Sequence, residues 1–145
     1  NMAITSAICN SFKQEILEAE HNFSSSGGNT FNLALYDSDA TLNKSTTAYT
    51  TSEELATTGG YTAKGNSLTN VTPTLDSDTA ICDFADTSWT SASFTARGCL
   101  IFNDSHASDA SVCAIDFGGD KTVTSGTFTV EFPAAAASTA IIQIA

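Results

Sequence analysis

The residues able to do acid–base, nucleophilic or metal chemistry are few, and one short segment gathers most of them: Asn103-Asp104-Ser105-His106-Ala107-Ser108-Asp109. A Ser-His-Asp triad is built from side chains on separate elements that converge in space, and neighbours along one loop rarely have that geometry. The segment therefore reads as a polar turn between two strands. The only other histidine, His21, lies in no recognised motif, and no G-x-S-x-G nucleophile elbow occurs. Asp104, His106 and Asp109 could bind a metal ion, and Asp37-Ser38-Asp39 and Asp76-Ser77-Asp78 carry carboxylates two apart, which suits hard cations. None continues into the D-x-[DN]-x-[DN]-G-x5-E run of a calcium loop, and Asp and Ser are ordinary turn residues, so no metal site is assigned. Gly118-Gly119, between Phe117 and Asp120-Lys121, reads as a hairpin turn and not as a phosphate cradle. No cofactor and no enzymatic activity are expected.

Cys9, Cys82, Cys99 and Cys113 are widely spread with no C-x-x-C pair, which argues against zinc-knuckle and thioredoxin-like chemistry. Cys82, Cys99 and Cys113 sit in apolar, strand-like runs, where free cysteine behaves as a small hydrophobe. Buried thiols are the expectation, with one or more disulfides the alternative. The single tryptophan, Trp89, could stack on a sugar with Tyr61 or Tyr49 beside it, but core packing competes for the same side chains. Four N-x-[ST] sequons, at Asn22, Asn43, Asn70 and Asn103, are what chance supplies in a chain with 18 Ser and 22 Thr.

Five basic against sixteen acidic residues leave a net charge of −11, too little positive charge to neutralise phosphates or to hold an anionic membrane surface. No apolar run approaches the roughly 18 residues of a membrane span. The N-terminus lacks the basic start and apolar stretch of a signal peptide, so no secretory route is expected, and Asn1 ahead of Met2 reads as an added residue. At 145 residues, with 41% hydrophobic content, the chain has the length and composition of one folded domain spanning 1–145.

The elements that position these side chains follow from apolar periodicity. Ile4, Ile8, Phe12 and Ile16 recur at i, i+4, and Ser11 with Gln14 resembles a capping box, which predicts one helix over about 3–20. Phe12, Ile16 and Leu17 are its expected sheet-packing residues. From about residue 30 to the end the pattern is short β-type runs separated by Gly, Asn, Asp and Ser. The runs are Phe31 to Tyr36, Tyr61 to Leu68, Thr79 to Phe84, Ser91 to Ala96, Cys99 to Asn103, Ser111 to Gly118, Thr127 to Phe132 and Thr139 to Ile144. Thr127-Phe128-Thr129-Val130-Glu131-Phe132 alternates strictly, placing Phe128, Val130 and Phe132 on one face. The Thr-rich stretch from Thr41 to Gly60 has no sustained apolar period. It reads as a long surface excursion with one helical turn at Ser52 to Ala56, and Thr41, Tyr49, Glu53 and Glu54 are its candidate contact residues. The fold class is mainly β: an antiparallel β-sandwich, jelly-roll-like or Ig-like, with one N-terminal α-helix.

The order and spacing of the motifs resemble small tailed-bacteriophage virion proteins of the head-decoration, cement or fibre-like kind. The resemblance runs nearly end to end, from Phe12-Lys13-Gln14-Glu15-Ile16-Leu17 through Phe31-Asn32-Leu33-Ala34-Leu35-Tyr36, Thr46-Thr47-Ala48-Tyr49 and Gly60-Tyr61-Thr62-Ala63-Lys64-Gly65. It continues through Trp89, Ala96-Arg97-Gly98-Cys99-Leu100-Ile101-Phe102-Asn103, Asp116-Phe117-Gly118-Gly119 and an Ala-rich link into a last apolar strand. The family pattern often has Gly-Gly at Lys64-Gly65 and Gly-His at Glu20-His21. The resemblance implies a non-enzymatic virion protein that caps or cements an assembled particle, made in the host bacterial cytoplasm. Its implied partners are itself, as a homo-oligomer such as a trimer, and phage capsid or tail proteins. A glycan- or receptor-binding fibre module is the alternative, with Trp89 and Tyr61 as the stacking pair.

Overall fold

The computed structural model describes residues 3–145. Its elements are β1 (Ala7–Ile8), α1 (Asn10–Leu17), β2 (Phe31–Tyr36), β3 (Asn66–Ser67), β4 (Asn70–Asp76), β5 (Thr79–Phe84), β6 (Thr87–Asn103), β7 (Ser111–Val130) and β8 (Ile142–Ile144). They form two antiparallel sheets, one ordered β1-β7-β6-β2-β3 and the other β4-β5-β8. The architecture is the mainly β sandwich with a short N-terminal helix that the periodicity called for.

The helix is shorter than the i, i+4 spacing predicts. Residues 3–8 are drawn into extended structure because their backbone finds partners on other strands. The Thr5 N–H donates to the Leu42 carbonyl at 2.8 Å and the Leu42 N–H to Ala3 at 3.2 Å, while Ala7 and Ile8 pair with Ala114 and Cys113. A sheet ladder satisfies these amides as fully as a helix would, and the contact it makes is long-range. The capping box does not form. Cys9 is the N-cap and makes no side-chain cap bond, and Ser11 lies inside the helix with its hydroxyl buried and unpartnered. Phe12 is buried and Ile16 packs on the core, but Leu17 is 88% exposed, against the expectation that it would cover a sheet. The helix ends where Ala19 turns left-handed, at φ 61°.

Two pairs of expected strands are each one long strand. Ser91 to Ala96 and Cys99 to Asn103 both belong to β6, and Ser111 to Gly118 and Thr127 to Phe132 both fall in or against β7. Gly118-Gly119 is therefore no hairpin turn. The register passes from Gly98↔Asp116 to Ala96↔Lys121, so β7 carries the extra residues in a bulge, with Gly118 at φ 83°. β4 has no counterpart among the expected runs, since Pro73 and its polar neighbours mask it, and Tyr61 to Leu68 yields only the two-residue β3.

The main core lies between the sheets. Phe31, Leu33, Leu35, Ile101 and Val112 of the large sheet pack with Cys82, Phe84 and Ile142 of the small one, and Phe23 stacks on Phe31 at 4.2 Å between ring centres. Each such side chain contributes about 1.5–3 kcal/mol when fully buried. A second cluster covers the opposite face of the large sheet, where Ala40, Leu42 and Tyr49 pack on Ala34, Tyr36, Leu100 and Phe102. All six residues of β2 are consequently buried, which is why its sequence is almost continuously apolar.

Candidate functional site

The His106 loop joins β6 to β7 as a polar turn, and its side chains are committed to holding that turn. The Ser108 N–H donates to His106 Nδ1 at 3.1 Å, so Nδ1 accepts, and Nε2 carries the proton it donates to Glu20 Oε1 at 2.7 Å. His21 repeats the arrangement. Asn103 Oδ1 accepts from the Ser105 N–H, which turns Nδ2 toward His21 Nδ1 at 3.1 Å, and His21 Nε2 donates to Glu15 at 2.9 Å. The two rings stack at 6.0 Å. In a triad the Nε2 lone pair faces a serine hydroxyl; here Nε2 faces a carboxylate, and Ser105 Oγ accepts from the Thr30 N–H.

The same protons bear on metal binding. Glu15, Glu20 and His106 bring ligand atoms within 4.8 Å of one another, but a cation would need the Nε2 lone pair that the Ser108 contact leaves protonated. Asp104 and Asp109 face Lys64, whose Nζ lies 3.3 and 3.0 Å from them, so an ammonium occupies the position between these carboxylates. Both hydrogen bonds push the lysine to titrate above its usual range. Asp76 accepts from the Ala137 N–H at 2.7 Å and ties the Ala-rich link to β4. Asp37 and Asp39 are joined by Glu53, and the Asp37 charge beside Glu53 raises the glutamate above the usual carboxylate range.

The excursion from Thr41 to Gly60 contains no helical turn. Instead single bridges tie it down, Leu42 to Ile4 ahead of β1, Ala48 to Ala110 just before β7 and Glu54 to Tyr36 of β2. Its anchor is Glu54, which accepts from the Tyr49 hydroxyl, the Tyr61 hydroxyl and the Lys64 N–H. Tyr49 is half-buried on Phe102. Of the four candidate contact residues, only Thr41 and Glu53 are exposed; Tyr49 and Glu54 serve the fold.

Trp89 and Tyr61 do come together, with ring centres 6.2 Å apart, but inside the core. Trp89 is 4% exposed and Tyr61 2%, and Phe94 and Phe128 close the cluster edge-on. No ring face is open to a sugar, which corrects the stacking pair. All four cysteines are free and buried.

What lies open is apolar. A groove of about 760 Å³ lies between β1, β7 and the segment after it, lined by Ile8, Ile115, Phe117, Phe128, Phe132 and Ile141, with Lys121 and Glu131 also among its walls. A second, of about 750 Å³, lies between α1 and the small sheet, where Ile16, Leu17, Ala80 and Ile144 meet. Leu75, Ala80 and Ile144 are opposite one another in register, and Leu75 and Ile144 are 74% and 58% exposed. The sequence reading missed both grooves. The alternation in Thr127 to Phe132 marks a strand, but no local signal says that the strand has a neighbour on one side only.

Fold and surface together define a mainly β sandwich with two open apolar grooves. No family model, no curated protein and no solved structure matches the chain.

Proposed function

We propose that this chain is a non-enzymatic structural protein of a tailed-phage virion, a decoration or cement protein that docks on the assembled particle through its α1–small-sheet side. The observation that carries this is the apolar strip of Leu17, Ile144, Ala80 and Leu75, which holds three of the four large hydrophobic side chains that stand exposed among the described residues. A contiguous exposed apolar patch rimmed by polar residues marks a contact with another macromolecule. A capsid or tail protein fits this strip because cementing needs rigid burial of apolar area and no chemistry. The order of motifs that resembles virion proteins supports the same role. So does Lys64, whose φ of 74° is a glycine-like conformation at a position where that pattern carries glycine. Glycan binding has no comparable support, because Trp89 and Tyr61 are buried.

The role is tested on the parent virion. Cryo-EM and mass spectrometry of purified particles are expected to find the protein in fixed stoichiometry on the head or tail. Particles stripped of it are expected to rebind wild type but not Leu17→Asp/Ile144→Asp. Absence from purified particles would refute the role.

A further inference from the structure

We propose that the groove between α1 and the small sheet is a binding site for a long-chain carboxylate, a free fatty acid whose alkyl chain lies along the groove floor and whose head group meets Lys13. The floor is the main core itself. Phe12, Phe23, Cys82 and Ile142 line the groove and are buried, while Leu17 and Ile144 on its walls are exposed. Side chains two residues apart on a strand share a face. The paired positions Cys82 and Ile142 are in the core, and one such step along each strand lie Ala80 and Ile144, the latter open to solvent. The groove therefore leads from the surface down to the core. At about 750 Å³ it has the size of small-molecule sites, roughly 300–1,000 Å³.

Charge and polarity identify the occupant. The chain has five basic residues against sixteen acids, yet among the described residues this groove has a lysine on its wall and no carboxylate. Lys64 and Arg97 are each held by two aspartates, whereas no carboxylate lies within ion-pair distance of Lys13 among the described residues. The acids of the α1 region do not cancel it. Glu15 and Glu20 are bound by His21 and His106, and neither they nor Glu18 line the groove. His21, the other basic side chain on the wall, has both ring nitrogens engaged, by Asn103 and Glu15. The β7 groove differs in this respect, because Lys121 and Glu131 both line it with opposite charge. An anionic head group is thus matched at Lys13. The body of the ligand is fixed by the floor. A polypeptide backbone laid against Phe12, Phe23, Cys82 and Ile142 would bring amides to side chains of carbon and sulfur and strand them at a cost, whereas an alkyl chain carries no polar group to strand.

The site shares a side of the molecule with the proposed particle contact but goes beyond that role and stands without it, so it is tested on the isolated full chain. Calorimetric titration at low salt with dodecanoate, below its micelle point, is expected to saturate at one ligand per chain. Affinity should fall about fourfold for each methylene removed on going to decanoate and octanoate. Dodecyltrimethylammonium should bind more weakly than dodecanoate. That comparison is decisive, because a chain of net charge −11 as a whole attracts the cation and repels the anion, and only the local lysine favours the anion. Lys13→Glu should weaken dodecanoate about tenfold and invert the preference, while Lys121→Glu, which adds the same charge at the other groove, should have a much smaller effect. Both lysines are exposed, and circular dichroism verifies that each variant and each complex is folded. No binding of dodecanoate, tighter binding of the cation, or denaturation without a saturating phase would each overturn the proposal. So would a loss of binding on Lys121→Glu in place of Lys13→Glu, which would put the ligand at β7. Absence of the protein from purified particles would refute the virion role and leave this site standing.

Discussion

The Tyr61 hydroxyl donates to Glu54 and accepts from the Leu35 N–H at 3.0 Å, so one buried phenol ties the surface excursion to the central strand β2. Glu54 also takes the Tyr49 hydroxyl and the Lys64 N–H, and serves as the common acceptor for three donors. Glu54→Ala leaves all three without this partner and is expected to lower stability by about 2–4 kcal/mol, the cost of several stranded polar groups. Glu54→Gln keeps one carbonyl acceptor and should cost less. Urea denaturation of both variants checks the order; equal losses would show that the carboxylate is no hub.

The four thiols are expected to be silent toward a disulfide reagent in the native protein at mildly alkaline pH. Burial raises all of them, Cys82 to about 12, and Cys99 and Cys113 are enclosed in the core. The thiolate is the reactive form, so reaction should wait for unfolding and then consume four equivalents. Melting temperature should be the same with and without reductant. A native protein that reacts at once, or a reductant-sensitive melting temperature, would contradict the buried free-thiol arrangement.

Alkaline stability follows from the tyrosines. Tyr36, Tyr49 and Tyr61 are the chain's only three, and burial is the leading cause that raises each of them, with Glu54 adding to it. Because the folded values lie above the unfolded one, their contribution to stability is intact below about pH 10 and is lost as pH rises past it. Tyrosinate absorbance should therefore show no gradual titration near pH 10. It should rise in a single step that coincides with loss of the β-sheet dichroism. Independent ionisation of one phenol in folded protein would show that it is solvated.

Trp89→Ala removes the centre of the Tyr61, Phe94 and Phe128 cluster and is expected to cost about 3–5 kcal/mol. In the wild type its fluorescence should be blue-shifted and resistant to iodide. Strong quenching in folded protein would reopen Trp89 as a ligand-stacking residue.

Local pattern carried much of the fold. Phe31 to Tyr36 and Thr79 to Phe84 are strands with the bounds their apolar runs indicate, and Phe128, Val130 and Phe132 share the core face as their alternation requires. The helix start failed because Ile4 and Ile8 satisfy a helical spacing as well as a strand with distant partners, and the partners at Leu42 and Cys113 are invisible locally. The Gly118-Gly119 turn failed for a related reason. Two glycines permit a left-handed backbone whether the chain reverses or bulges, and the continuous pairing of β6 with β7 selects the bulge.

For the surface the division is sharper. By itself the sequence determined a β-rich, acidic, hydroxyl-covered chain with no assembled catalytic motif, because composition and periodicity are properties of neighbours along the chain. Tertiary structure alone decided that Trp89 and Tyr61 are core, that Lys64 sits between Asp104 and Asp109, and that β7 and the α1 groove are left open. Those outcomes depend on which segments distant in sequence meet across the sheets. A residue type specifies what a side chain can do; only the packing of remote strands specifies whether it faces another side chain or the solvent.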